Sequence, residues 1–296
     1  MQLQTIIDIP KPPFTISHQD KLLLLGSCFA DEMGSKLLAN GFTVLANPFG
    51  TLYNPASIAA MLLRCISERE CKEIFVGTDG IWHSWMHHSR FSAETKDELQ
   101  ARVSKATQET AAFLRTASVL IVTFGTAIIY RLKENGMLVA NCHKQPDSLF
   151  QRERLTAYDI VDQWQMLLQL LHAVNPDLKI IFTVSPIRHK RDGLHVNQIS
   201  KGILLQAVEE MVNGNMEIVN SKWSNSKYNY FPSYEIMLDE LRDYRFYADD
   251  MVHPSPLAVE YIWQRFQQTY FSPQTIEQCR LRLKEWKQSQ HRTIIN

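Results

Sequence analysis

"LLLLGSCFADEMGSKL" (Leu22–Leu37) runs four leucines into Gly26-Ser27-Cys28 and then into a stretch that reads as a helix. Consecutive leucines ending in a glycine fit a strand buried on both faces, as in parallel sheets. At the corner Gly26 allows a tight turn, Ser27 or Cys28 takes the first helical position, and Asp31 and Glu32 put negative charge where the helix dipole favours it. A thiol there faces unpaired backbone N–H groups, so Cys28 has a route to a lowered pKa without a cationic neighbour. The plainer reading makes Gly-Ser a turn and cap, with Cys28 a small packed residue.

The pattern recurs. Short apolar runs ending in small or polar residues lie at 21–27, 118–126 ("SVLIVTFGT"), 178–186 ("LKIIFTVSP") and, less clearly, 216–220 ("MEIVN"). Between them, helical spacing spans Thr95–Arg115, Ala157–Val174 and Asn197–Val212. Strands alternating with helices predict an α/β fold, a three-layer α/β/α sandwich with a mostly parallel central sheet. Ligands of such sheets bind beyond the strands' carboxyl ends, which read Gly26-Ser27-Cys28, Gly125-Thr126-Ala127 and Ser185-Pro186-Ile187-Arg188-His189.

The 296 residues are 45% hydrophobic and 21% charged, with 31 Lys+Arg against 31 Asp+Glu. That balance allows a full core and gives no net field to attract a polyanion, so nucleic acid is not an expected partner. We read one domain (1–296), with an aromatic and histidine-rich insertion near 75–95 and a helical extension near 272–296. No apolar run is long enough for membrane insertion and the N-terminus has no signal pattern, so a cytoplasmic protein is expected. The odd count of five cysteines suits free thiols.

A thiol nucleophile needs a base. "YADDMVHPSPLAVEYIWQRF" (247–266) offers Asp250-x-x-His253, with Ser255 and Pro256 as N-cap and first helical residue. A carboxylate three residues before a histidine can hold Nδ1–H and leave Nε2 to take the proton. Asp192-x-x-His195 is a second copy of the pattern, although Asp192-Gly193 reads first as turn chemistry.

Together "LLLLGSCFADE", "NPFGTLYNP", "VTFGTA", "SPIRHKRDG" with "NQISKG", and "FPSYEIMLDELRDYRFYADDMVHPS" resemble the GSCFA family of bacterial proteins, itself similar to the SGNH or GDSL hydrolases. The resemblance implies an SGNH-like, flavodoxin-like fold and esterase-type chemistry. It puts Cys28 at the nucleophile position, Ser27 where the pattern has Asp, Gly50 as a backbone oxyanion donor, and Asp250 and His253 as the final block. The pattern's third block, Gly-x-Asn-Asp, is replaced by Gly125-Thr126-Ala127-Ile128. One lost oxyanion donor is worth roughly 3–4 kcal/mol of transition-state stabilisation, unless the Thr126 hydroxyl replaces it.

Other features carry weaker signals. "DGIWHSWMHHSRFS" (79–92) holds His83 and His87 at helical i,i+4 spacing beside His88; with no third ligand adjacent we expect a substrate wall, and neither metal nor cofactor. Arg188, His189, Lys190 and Arg191 could bind a carboxylate or phosphate, or form a solvated basic loop. Asn197 and Ser200 could cap and face the following helix. The Tyr- and Phe-rich 226–250 could line an acyl groove or act as a lid.

The leading expectation is an acyl hydrolase or acyltransferase using Cys28, His253 and Asp250 on a small-molecule or carrier-linked acyl substrate. A weak module binding an acylated or glycan ligand is the alternative. A third version gives the nucleophile to Ser27 and the base to His195.

Overall fold

A computed structural model describes residues 4–214, 217–218, 221–222 and 226–293. Its centre is a five-stranded sheet of β1 (Lys21–Gly26), β2 (Thr43–Ala46), β3 (Val119–Phe124), β4 (Lys179–Val184) and β5 (Tyr228–Phe231), all parallel. The spatial order is β2-β1-β3-β4-β5, the doubly wound order of flavodoxin-type sheets. Its register pairs Leu22 with Val44 and Val119, and Gly26 with Thr123.

Side chains alternate along each strand, and the leucine run divides accordingly. Leu23 and Leu25, with Leu120, Val122 and Phe124, pack under helices α2 (Pro55–Ser67), α4 (Ala157–Val174) and α5 (Leu194–Asn213). Leu22 and Leu24, with Val119, Ile121 and Ile181, pack against α1 (Cys28–Ala39) and α6 (Pro256–Tyr270). Each fully buried leucine contributes about 1.5–3 kcal/mol, which is why the run is apolar at every position. The α3 helix (Lys96–Leu114) completes the first layer, and α7 (Pro273–Thr293) follows α6. Thr95, Thr156 and Ser255 accept N-cap hydrogen bonds where the sequence places helix starts.

One strand differs from expectation. In 216–220, Met216, Val219 and Asn220 lie outside the described residues, and Glu217–Ile218 pairs antiparallel with Ser221–Lys222 rather than joining the central sheet. The fifth strand is Tyr228–Phe231, inside the stretch expected to form a groove or lid. Four residues with two tyrosines look like a loop until the neighbouring strand, Ile180–Thr183, is available to pair with them.

The segment near 75–95 forms a hairpin, Ile74–Val76 with Trp82–Ser84, followed by a single helical turn at Ser89–Phe91. His83 therefore lies in a strand, and the helical spacing assumed for His83 and His87 does not exist. Among the described residues, no helix is long and apolar enough to cross a membrane.

Gly26 holds the corner at φ +149°, and a Cβ there would stand 2.3 Å from the Thr123 carbonyl oxygen. Gly26→Ala is expected to cost roughly 2–3 kcal/mol, from left-handed strain plus that overlap. A urea midpoint equal to wild type would show that the corner can move aside.

Candidate active site

The corner between β1 and α1 sits at the point where strand order reverses, so the ends of β1 and β3 open into one crevice. Gly26 N–H donates to the buried Asn47 Oδ1 at 2.9 Å, and Asn47 Nδ2 donates to Ser27 O at 3.3 Å. Ser27 is the N-cap of α1, accepting from Phe29 N–H at 3.3 Å, and its hydroxyl meets Ser185 Oγ at 3.0 Å. Cys28 thus becomes the first helical residue, half-buried.

The histidine expected as base comes from the other end of the chain. Asp250 Oδ1 accepts the backbone N–H groups of Val252 (2.8 Å) and His253 (2.9 Å), forming a turn with Met251 at φ +58°. His253 Nδ1–H donates to Asp250 Oδ2 at 2.5 Å, and His253 Nε2 lies 3.6 Å from Cys28 Sγ. Thiol, imidazole and carboxylate thus stand in one line, the geometry that a nucleophile, a base and its orienting group require. Backbone bonds from Ala248 to His253 (2.8 Å) and from Arg188 to Val252 (3.2 Å) fix the loop, and Ser255-Pro256 start α6 directly after it.

Electrostatics differ at the two ends of this line. Hydrogen bonds from His253 and Val252 hold the Asp250 carboxyl down at about 2. Burial pushes the Cys28 thiol above its ordinary value, and the Asp31 and Glu32 charges push the same way. The helix-end N–H groups of Cys28 and Phe29 pull it down but do not win. The lowered thiol expected from the helix end is corrected: in a half-buried corner desolvation of the thiolate exceeds the pull of two backbone dipoles.

Residues 21–266 match the GSCFA family. The chain belongs to the GSCFA family. Among solved structures, it is similar to a Streptococcus pneumonia protein named for platelet activating factor (10% identity, TM-score 0.40, 83% of each chain covered). It is also similar to an acetyl esterase variant with acetate ion and to a carbohydrate esterase family 3 protein from Talaromyces cellulolyticus. Each is 12% identical over 88% of this chain and 98% of that one, with TM-scores of 0.39 and 0.36. No curated protein matches the chain.

In this GSCFA chain the two expected extra oxyanion donors are engaged elsewhere. Gly50 N–H donates to Asn47 O at 2.8 Å, closing the turn after β2. Gly125 and Thr126 N–H both donate to Tyr53 O, at 2.7 and 2.9 Å. The Thr126 hydroxyl contacts Ser200 Oγ at 3.1 Å and accepts from Ile128 N–H at 3.1 Å, so it faces α5. The Gly50 bond closes a local turn and the Thr126 hydroxyl bonds across to α5, partners that the spacing of the sequence motifs does not give.

The Ser27–His195 version does not assemble either. Ser27 is 1% exposed and committed to its cap, His195 is exposed, and Asp192 pairs with Arg152 at 2.8 Å. His83 bonds Ser92 (2.6 Å) and His87 bonds Ser84 (2.8 Å), while His88 caps the turn at Ser89–Phe91 and packs against Gly50. Burial drives His87 down to about 3, so it stays neutral. Among the described residues no group of three or more His, Cys, Asp or Glu could hold a metal ion.

Beside the site stand Lys201, which the sequence motifs did not single out, and the candidate Asn197. Lys201 is 1% exposed and its Nζ donates to Gly125 O and Ser185 O, both at 2.7 Å, tying the ends of β3 and β4 together. Asn197 is no cap: it sits within the first turns of α5, and its Oδ1 accepts the His189 backbone N–H at 3.0 Å. The signal for both was available, since 197, 200, 201, 204 and 208 share the buried stripe of α5.

Proposed function

We propose that this GSCFA protein is an SGNH-like acyl hydrolase or acyltransferase working through Cys28. The observation that carries the reading is the Cys28–His253–Asp250 line: a 3.6 Å contact joins Cys28 to His253, 225 residues away in sequence, and a 2.5 Å bond joins His253 to Asp250. His253 Nε2 takes the thiol proton as Sγ attacks the carbonyl carbon of an ester, thioester or amide. The carbonyl π pair moves to oxygen, then returns as the leaving group departs with the proton from His253. Water or an acceptor amine or hydroxyl then attacks the Cys28 thioester by the same proton path. The Cys28 N–H, one of the free donors at the start of a helix, bonds the developing oxyanion in this reading.

The test is incubation with p-nitrophenyl acetate, followed by peptide mass spectrometry. An acetyl group on Cys28 is expected, with Cys65, Cys71, Cys142 and Cys279 unmodified, because burial holds Cys65 at about 12 and Cys142 and Cys279 at about 11, and raises Cys71 as well. Acetylation spread evenly over the five thiols would remove Cys28 from the nucleophile role. The occupied Gly50 and Thr126 donors favour a second reading, a module that binds an acyl ligand without turning it over. A protein that binds such ligands but gives no Cys28 adduct would support it.

A further inference from the structure

We propose that the His189 imidazole, through Nε2–H, is the side-chain oxyanion donor of this site; the assignment rests on the acylation of Cys28 proposed above. A tetrahedral intermediate held by the Cys28 N–H alone lacks a partner, since Gly50 N–H and the Thr126 hydroxyl are both engaged. His189 follows β4, and its Nε2 is buried with no hydrogen-bond partner among the described residues. A buried N–H without a partner is costly, and such groups persist where a ligand completes them.

The location is set by two contacts. The ring lies against the end of β3: a Cβ on Gly125 would stand 3.0 Å from Nε2 and 3.6 Å from Cε1. A side chain at Gly125 would thus fill the space the imidazole occupies, which gives this glycine its reason. The ring also meets Tyr53 edge to face, with centroids 5.6 Å apart, and Tyr53 is close enough to Cys28 for a thiolate there to raise its pKa. The charge of His253 also acts on His189. The imidazole therefore lies against the end of β3, where the resemblance places an Asn, and β3 pairs there with the end of β1 that leads into Cys28.

The surroundings also suit a donor that gives up no proton. Burial, reinforced by the Lys201 charge and His253, lowers His189 to about 4, so at neutral pH the ring is uncharged. A neutral imidazole offers one N–H and keeps it while charge develops opposite, the role such rings play as electrophiles elsewhere. The Asn197 bond to the His189 backbone and the Tyr53 contact hold the ring before substrate arrives, which makes the donor preorganised.

The experiment compares two reactions of the same thiol. Acylation of Cys28 by p-nitrophenyl acetate develops an oxyanion, whereas alkylation by iodoacetamide displaces iodide and develops none. In His189→Ala, acylation is expected to slow about 10²- to 10³-fold while alkylation stays within about twofold of wild type. His189→Gln, which restores an N–H donor, should recover part of the loss. Equal acylation rates in wild type and His189→Ala overturn the assignment, and so does a parallel fall in alkylation, which would mark a structural role. A wild-type Cys28 that alkylates but accepts no acyl group overturns both this assignment and the reading beneath it.

Discussion

Replacing His253 by Ala is expected to slow acylation of Cys28 by p-nitrophenyl acetate about 10²- to 10⁴-fold, the range that a positioned general base supplies. The sulfur is protonated at neutral pH because burial, Asp31 and Glu32 all raise its pKa. Its proton must therefore leave during attack, and His253 Nε2 stands 3.6 Å away to receive it. Without the imidazole only solution bases remain. The rate in the variant should then still climb with pH beyond the ordinary thiol value of about 8.5, because the raised thiol pKa moves the thiolate limb upward. Asp250 adds no acid limb above about pH 3, since its carboxyl is held at about 2 and stays ionised. Asp250→Asn should cost about 10²-fold or more by a different route, presenting an amide N–H to Nδ1 and favouring the wrong tautomer. Stopped-flow release of p-nitrophenolate measures all three. Wild-type acylation in His253→Ala would mean that the thiol loses its proton without this base.

The corner at which we propose this chemistry was legible because each of its parts is local. Four leucines bury both faces of a strand, Gly26 makes the turn, and Ser27 caps a helix whose first residue is Cys28. Asp250 and His253 were legible for the same reason, since a three-residue turn sets their contact. Their approach to Cys28 was only an expectation, because it depends on α6 docking beside α1. What sequence could not supply was the partner each polar group takes and the depth at which it is buried. Gly50 looks like a free donor until Asn47 O is placed 2.8 Å away, and the Cys28 pKa looks lowered until the depth of the corner is known. The β5 strand was missed because Tyr228–Phe231 has no apolar run of its own and pairs along only one edge.

Lys201 shows how far a single buried side chain can be read. Its Nζ is the partner of the Gly125 and Ser185 carbonyls, so Lys201→Ala leaves two buried acceptors unpaired and a cavity between α5 and the sheet. A loss of about 3–5 kcal/mol in urea unfolding is expected, and a loss below about 1 kcal/mol would mean the two carbonyls find water. The charge state of the amine can be tested separately. Burial lowers Lys201 from 10.5 to about 7, with the Cys28 charge opposing. A neutral amine still has two N–H donors, matching the two carbonyls it meets. Between the folded and unfolded values the unfolded chain holds a proton that the folded chain lacks, so this residue's contribution to stability rises as pH rises above about 7. It is lost as pH falls through that value, with a slope of up to about 1.4 kcal/mol per unit. Lys201→Met removes the titration and keeps the bulk. The wild type minus Lys201→Met difference in unfolding free energy is therefore expected to be larger at about pH 8.5 than at about pH 6.5. A difference that stays flat over that interval would show that the amine remains charged, and the two strand ends would then be clamped by a buried ammonium ion beside the Cys28 thiol.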